Sequence, residues 1–178
     1  MKNMKQKRNR TLESAQRLLS PPGKGQSERT APPPALNLSV QFAATVPAGL
    51  NRSRLRRWVQ AALQQPAQLT LRFVAAAEGK KLNAAFRGKD YATNVLTFPY
   101  HAAGDATAVA DIVICVPVVA REAKEQKKKL LHHYAHLIVH GVLHAQGFDH
   151  IKKKDAAEME ALEISILQQL RVPDPYVA

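Results

Sequence analysis

The stretch from His140 to His150 places the strongest constraint on how this chain can fold. It reads His140-Gly-Val-Leu-His144-Ala-Gln-Gly147-Phe-Asp-His150. Histidines four residues apart on a helix differ by about 40° in azimuth and about 6 Å in rise, so both imidazoles leave one face and can converge on one ion. Gly147 follows where a helix commonly ends in a left-handed turn, which would return His150 towards the other two. Three neutral imidazoles leave a fourth position for water, so the pattern predicts a catalytic type of metal site.

The spacing matches the long zincin signature H-E-x-x-H-x-x-G-x-x-H with one departure. Position 141, where a peptidase of that class carries its general-base glutamate, is glycine. No side chain there can take a proton from a water molecule on the metal. The ligand pattern is therefore retained while the key group of a peptidase is absent.

A histidine-rich helix without a metal is the alternative interpretation of this region. His132, His133 and His136 lie outside the signature and keep this alternative open, and His136 also shares the helix face of His140. A different trio, formed by His136, His140 and His144, would span about 12 Å of straight helix. That span is too long for one ion with bonds of about 2 Å, so we set this trio aside.

The charge of the chain indicates a polyanionic partner. The sequence contains 26 Lys and Arg against 14 Asp and Glu, a net charge of +12. Residues 1–34 contribute eight basic and two acidic residues and the remainder 18 and 12, so each part carries +6. Nucleic acid is the first candidate partner for such a chain, and a solvated basic surface is the alternative.

The cellular compartment is predicted from three features. No run of 18 or more apolar residues is present, so we expect no membrane span, and the basic N-terminus lacks the apolar stretch of a secretory signal. The single cysteine, Cys115, lies in an apolar run and is predicted to be a buried strand residue. These features favour a cytoplasmic protein.

The chain divides at about residue 34. Residues 1–34 are basic, rich in Pro, Gly and Ser and poor in apolar side chains, so we expect a disordered basic arm that either contacts RNA non-specifically or aids solubility. Residues 35–178 are predicted to form a single metal-dependent hydrolase domain, long enough to bury an ordinary core.

The hydrophobic periodicity of residues 35–178 predicts four strands and about five helices. Alternation of apolar and polar residues, as in Leu36 to Phe42, indicates strands with one buried face. We interpret Gly79 as a turn before a short helix at 80–86, and the histidines as part of a helix over 130–146. The strands are interrupted by helices and followed by a helical C-terminal half. The expected fold is α+β, with a small mixed four-stranded sheet packed with these helices and a zincin-like histidine-bearing helix.

Several motifs in the same order resemble the YbeY family of bacterial endoribonucleases, the rRNA maturation factors. The resemblance covers roughly residues 36–178. It rests on Arg87-Gly88-Lys89-Asp90, Thr93-Asn94-Val95-Leu96-Thr97-Phe98-Pro99, Asp111-Ile112-Val113-Ile114, the His140–His150 motif, Met159-Glu160-Ala161-Leu162-Glu163 and Asp174-Pro175-Tyr176.

The resemblance implies a zinc-dependent, single-strand-specific endoribonuclease that acts in 16S rRNA 3′-end maturation and in ribosome quality control. It implies that His140, His144 and His150 hold one zinc ion and that Arg87 is functional. The implied partners are RNA, as an rRNA precursor, together with the small ribosomal subunit and an assembly GTPase.

The chemistry of these residues fits phosphodiester cleavage but leaves several points open. A guanidinium is always charged and can bond two phosphoryl oxygens at once, which suits Arg87, although pairing with Asp90 would make that arginine structural. Asp149 either orients the His150 imidazole or caps the following segment. Water on the metal and the substrate 2′-OH are both possible nucleophiles. Two other functions stay open: a ribosome-associated binding factor with structural zinc, and a zinc hydrolase of a non-RNA substrate.

Overall fold

The computed structural model describes residues 32–100, 102, 104–148 and 153–177. Nearly all of the predicted N-terminal arm lies outside this part of the chain, and the division at residue 34 stays a prediction. His150, the third predicted metal ligand, and Asp149 also lie outside the described residues. The two other predicted ligands and Arg87 lie within them.

Four strands form one mixed sheet, which confirms the predicted sheet. The order across it is β1-β2-β4-β3, with β1 parallel to β2, β2 parallel to β4, and β3 antiparallel to β4 at the edge. The two central strands are the more buried ones, as expected for strands covered by helices. The strands are β1 (Leu36–Phe42), β2 (Ala67–Val74), β3 (Val95–Pro99) and β4 (Ala108–Cys115).

Five helices occur in the described part of the chain, and with the sheet they confirm the predicted α+β fold. None of them combines the length and the apolar character needed to cross a membrane. The helices are α1 (Arg52–Ala62), α2 (Ala76–Arg87), α3 (Val116–Glu125), α4 (Leu130–Ala145) and α5 (Lys153–Gln169).

Local chemistry explains where several of these elements begin. The Asn51 side chain caps α1 by accepting a hydrogen bond of 2.9 Å from the backbone N–H of Arg54. Pro117 lies in the first turn of α3, where its missing N–H has no helical acceptor to lose. Cys115 ends β4 as a buried residue, as its apolar neighbours predicted.

The prediction of a turn at Gly79 is wrong, because Gly79 lies inside α2. The helix packs so closely on the end of β4 that a Cβ atom at this position would lie 2.9 Å from Cys115 Sγ. Glycine is therefore present for the close approach of helix and strand rather than for a turn. A contact between a helix and a distant strand cannot be predicted from the local sequence. Because Gly79 was taken as a turn, the predicted helix at 80–86 was too short.

The histidine-bearing helix α4 is the central helix of the domain. Its apolar face contributes the fully buried side chains of Tyr134, Ile138 and Leu143, and it contacts β3, β4 and three other helices. Burial also raises the pKa of Tyr134 to about 12. Because one face is committed to the core, the face that carries the histidines is fixed in direction.

Gly141 allows α4 to lie close to the sheet. A Cβ atom built at this position would be 3.0 Å from Ile112 Cγ2 and 3.4 Å from Val95 Cγ2, both on the strands beneath the helix. The Thr97 hydroxyl also donates a hydrogen bond of 3.5 Å to the Gly141 carbonyl. A glutamate at position 141, as a zincin peptidase requires, would therefore have to displace Ile112 or move the helix away from the sheet.

We predict that Gly141→Glu lowers the free energy of unfolding by about 3 kcal/mol or more, because it forces a carboxylate into a closely packed apolar contact. Chemical denaturation of the full chain measures the effect. Gln168→Glu, which adds a carboxylate at an exposed position of α5, is the control and should unfold within about 0.5 kcal/mol of the wild type. An unchanged unfolding midpoint for Gly141→Glu would contradict this account of the packing.

Candidate metal centre

The histidines of α4 that carry the predicted ligand spacing lie side by side. The ring centroids of His140 and His144 are 4.5 Å apart, with ring planes at 79° to each other. Both side chains are partly buried and both line the same cleft. The i, i+4 spacing therefore brings these two imidazoles together in the way that the sequence predicted.

The chain leaves α4 through a turn that glycine makes possible. The helix ends at Ala145, and Gly147 has a φ of 91°, in the left-handed region that was predicted for it. The backbone N–H of Phe148 donates to the carbonyl of Leu143 at 3.2 Å, which closes the turn. The segment that follows carries His150 and lies outside the described residues.

Gln146 anchors the end of α4 to the end of α1. Its side-chain oxygen accepts a hydrogen bond of 2.6 Å from the backbone N–H of Gln64, and its side-chain nitrogen donates to the carbonyl of Ala62 at 2.9 Å. These bonds satisfy backbone groups at the end of α1 and hold the last turn of α4 in place. His144 belongs to that turn, so its position is tied to α1.

The imidazoles face an open cleft of about 530 Å³. Strand β3 forms one wall and the C-terminal half of α4 forms the other, while the end of α2 and the loop before β3 complete the rim. Polar and apolar side chains are mixed around it, which suits a hydrated substrate. The lining residues are Arg87, Thr93, Asn94, Val95, Thr97, Pro99, His140, His144, Gly147 and Phe148.

Arg87 is the last residue of α2 and lies at the rim of this cleft. Gly88 follows it with a φ of 66° and ends the helix, which leaves the arginine side chain exposed. Asp90 would be the partner of Arg87 if that arginine were structural. Its carboxylate instead lies 3.2 Å from the Lys80 ammonium. The guanidinium of Arg87 and the two imidazoles thus border the same space.

Asn94 is held in the cleft wall by a partly buried hydrogen-bond network. Its side-chain nitrogen donates to Glu122 at 3.0 Å, and its oxygen accepts a bond of 2.6 Å from the backbone N–H of Val95. Glu122 also accepts a hydrogen bond of 3.0 Å from His133 Nε2. Burial lowers the pKa of His133. His133 is therefore a core histidine that supports the cleft wall through Glu122. This is the role that the alternative interpretation, a histidine-rich helix without a metal, gives to this residue.

Glu163 of α5 is a site residue that was not predicted. Its side chain is fully buried, and its Oε1 atom lies 2.7 Å from His140 Nδ1. Its other oxygen accepts a hydrogen bond from the hydroxyl of Tyr176, near the end of the described chain. A carboxylate from one helix thus contacts the imidazole of a predicted ligand, and a phenol from a distant segment contacts that carboxylate.

The hydrogen-bond donors around Glu163 decide its charge. Burial alone would raise the pKa of this carboxyl group, but the hydrogen bonds from His140 and Tyr176, together with the nearby His136 imidazole, have the larger combined effect and lower its pKa to about 2. Burial, together with the contact with Glu163, raises the pKa of Tyr176. Glu163 is therefore a carboxylate at neutral pH and Tyr176 a neutral donor.

His136 completes a second group of ligand-type atoms. Its Nε2 lies 3.4 Å from Glu163 Oε2, without the geometry of a hydrogen bond, and neither ring nitrogen has a hydrogen-bond partner within the described part of the chain. One ligand atom from each of His136, His140 and Glu163 falls within 4.8 Å of the others, so this cluster can bind a metal ion. It differs from the His136, His140 and His144 trio that the helix geometry excluded.

The sequence does contain a signal for Glu163. It lies four residues after Met159 and three before Ile166, both of which are buried on the core face of α5. Positions with this spacing share one face of a helix, so a carboxylate among apolar residues must have buried partners. No comparable signal identifies Tyr176, because it reaches the site from outside any helix or strand.

The fold and the cleft together define a class of protein. An α+β domain that holds histidines and a buried carboxylate beside an open cleft of mixed polarity, with an arginine at its rim, has the arrangement of a metal-dependent hydrolase. The absence of an acidic side chain next to His140 separates it from the zincin peptidases.

Comparisons with known proteins identify the family. A family model described as Endoribonuclease YbeY matches residues 43–171. Relatives named Endoribonuclease YbeY include one from Herminiimonas arsenicoxydans, 58% identical over 80% of this chain and 96% of that protein, and one from Bordetella pertussis, 55% identical over 80% and 97%. A third, from Nitrosomonas eutropha, is 54% identical over 79% of this chain and 98% of its own length. The chain belongs to the YbeY endoribonuclease family.

The solved structures that are similar to this chain include one from a thermophile. The solution structure of a Thermotoga maritima protein is 22% identical, with a TM-score of 0.49, over 79% of this chain and 99% of that one. The family assignment itself comes from the family model and the sequence relatives. It confirms the predicted resemblance and the predicted class, that of the endoribonucleases, which are hydrolases that act on RNA.

Proposed function

We propose that this protein is a zinc-dependent endoribonuclease that cleaves single-stranded RNA in the cleft between β3 and α4. The observation that carries the proposal is the convergence of His140 and His144, 4.5 Å apart between ring centroids, on a cleft that Arg87 also lines. The relatives named as endoribonucleases support RNA as the substrate. In the cell, the protein acts in 16S rRNA 3′-end maturation and in ribosome quality control.

His140, His144 and His150 are proposed to hold one zinc ion. The donor set fits zinc, because neutral imidazoles are among its preferred ligands. The contact with Glu163 occupies His140 Nδ1 and leaves Nε2 as the atom that can bind a metal. When bound, zinc polarises a phosphoryl oxygen and lowers the pKa of a water molecule in the cleft.

Arg87 is proposed to bind the phosphate group that is cleaved. Cleavage of a phosphodiester increases negative charge on the non-bridging oxygens, and a guanidinium can donate to two of them at once. Its place at the rim, with Asp90 paired to Lys80, leaves the arginine available to the substrate.

The partners are proposed to be the small ribosomal subunit, with an rRNA precursor as substrate, and an assembly GTPase. The net charge of +12 supports binding to RNA, because each basic side chain that meets a phosphate releases counterions. A buried, unpaired Cys115 fits the proposed cytoplasmic location, where thiols stay reduced.

We predict that His144→Ala lowers RNA cleavage by at least about 100-fold and weakens zinc binding, while the protein stays folded. Cleavage of a defined single-stranded RNA, zinc affinity by chelator competition and circular dichroism measure the three properties. His132→Ala, on the same helix but away from the cleft, is the control. An unfolded His144→Ala protein would support structural zinc, and full cleavage would contradict the proposal.

We predict that Arg87→Lys lowers cleavage by about 10-fold to 100-fold with zinc still bound, because an ammonium cannot reproduce the paired hydrogen bonds of a guanidinium. Arg121→Lys, an exposed arginine of α3, is the matched control, and Asp90→Ala should leave cleavage unchanged. Full activity of a zinc-loaded Arg87→Lys enzyme would show that this arginine has no role at the phosphate.

A further inference from the structure

We propose that Glu163 and Tyr176 are positioning residues for the metal centre. Together they hold the His140 imidazole as the tautomer with its hydrogen on Nδ1, so that the lone pair of Nε2 is available for a metal. The inference rests on the proposed function in one respect, since it takes His140 to be a metal ligand. It assigns a role to the C-terminal segment, whose described residues do not line the cleft.

Glu163 and His140 form a hydrogen bond and do not share an ion. Two ligand atoms that are each about 2.1 Å from a tetrahedral zinc ion lie about 3.4 Å apart. His140 Nδ1 and Glu163 Oε1 are only 2.7 Å apart, which is the length of a charge-assisted hydrogen bond. The cluster of His136, His140 and Glu163 would therefore have to open before a metal could enter it.

The hydrogen bond runs from His140 as donor to Glu163 as acceptor. A carboxylate can only accept hydrogen bonds, so the hydrogen between the two atoms belongs to His140 Nδ1. In a neutral imidazole the other nitrogen then carries the lone pair. A buried carboxylate behind a metal-binding histidine fixes both the tautomer and the orientation of the ring in this way.

Tyr176 fixes the second oxygen of the Glu163 carboxylate. Its hydroxyl donates to Glu163 Oε2, so this oxygen has a partner of its own while Oε1 faces His140. Tyr176 also packs against the ring of His136, with centroids 5.5 Å apart. Both carboxylate oxygens are thus engaged, and a fully buried carboxylate is kept from rotating away from the imidazole.

The segment that carries Tyr176 is itself held in place. The Asp174 side chain accepts a hydrogen bond of 2.8 Å from the backbone N–H of Tyr176. The Lys128 ammonium, just before α4, donates to the carbonyl of Pro175 at 2.8 Å. The C-terminal segment is therefore attached at one point to the start of α4 and at another to the carboxylate behind His140.

The tautomer is measured directly by long-range ¹H–¹⁵N correlation spectra of the ¹⁵N-labelled full chain, prepared without metal. The expected result is a protonated Nδ1 and an unprotonated Nε2 for His140. Glu163→Gln should give a mixture of tautomers, because an amide can either accept from Nδ1 or donate to it, and should weaken zinc binding by about 10-fold to 100-fold. Tyr176→Phe should weaken zinc binding less, in the same direction.

Matched variants separate positioning from general stability. Glu160→Gln, one turn away and exposed on α5, and Tyr91→Phe, an exposed tyrosine, should change neither the tautomer nor zinc affinity. If Glu163→Gln does not fold, the wild-type tautomer and Tyr176→Phe still test the inference. His136→Ala should bind zinc nearly as well as the wild type.

Three results would overturn the inference. They are a wild-type His140 with its hydrogen on Nε2, unchanged zinc affinity in both Glu163→Gln and Tyr176→Phe, and a loss of zinc binding in His136→Ala as large as in His144→Ala. The last result would place the metal in the His136, His140 and Glu163 cluster. Failure of the proposed function is a separate outcome. A wild-type protein that binds zinc with the expected tautomer but cleaves no RNA would contradict the proposed activity. The positioning role of Glu163 and Tyr176 would still stand.

Discussion

The close contact of α4 with strands β3 and β4 is the constraint on which the rest of the site depends. Gly141 brings the helix against Ile112 and Val95, and this contact fixes both the depth and the rotation of the helix. Once one face of α4 is committed to the core, the opposite stripe must present His140 and His144 to the space beside β3. The same glycine removes the acidic side chain that a peptidase would need, so one small residue shapes both the architecture and the chemistry.

Around this helix the protein combines rigid support with an open site. The buried hydrogen bonds of Glu163 and the anchoring of the last helical turn by Gln146 hold the histidines from behind. The cleft itself is open to solvent, has a mixed polar and apolar lining, and includes the exposed Arg87 at its rim. Such a division is typical of sites in which the protein fixes the ligands of a metal while a flexible polymer enters from solvent.

Much of this arrangement could be predicted from the sequence, and the failures have a common cause. Local periodicity identified α4, the four strands and the side-by-side placement of His140 and His144, because these follow from helix and strand geometry alone. The prediction at Gly79 failed because its neighbour, Cys115, lies on another element. Glu163 and Tyr176 were missed for the same reason, since their partner on α4 becomes visible only when the packing of α5 and the C-terminal segment is known.

The central claim, that the imidazoles of α4 hold a metal ion at the cleft, is tested most directly by a crystal structure of the zinc-loaded full chain with anomalous data at the zinc edge. The account predicts one anomalous peak in the cleft, at bonding distance from His140 Nε2 and from His144, with Glu163 still bonded to His140 Nδ1. A peak between His136 and Glu163, or no ordered zinc near α4, would contradict it.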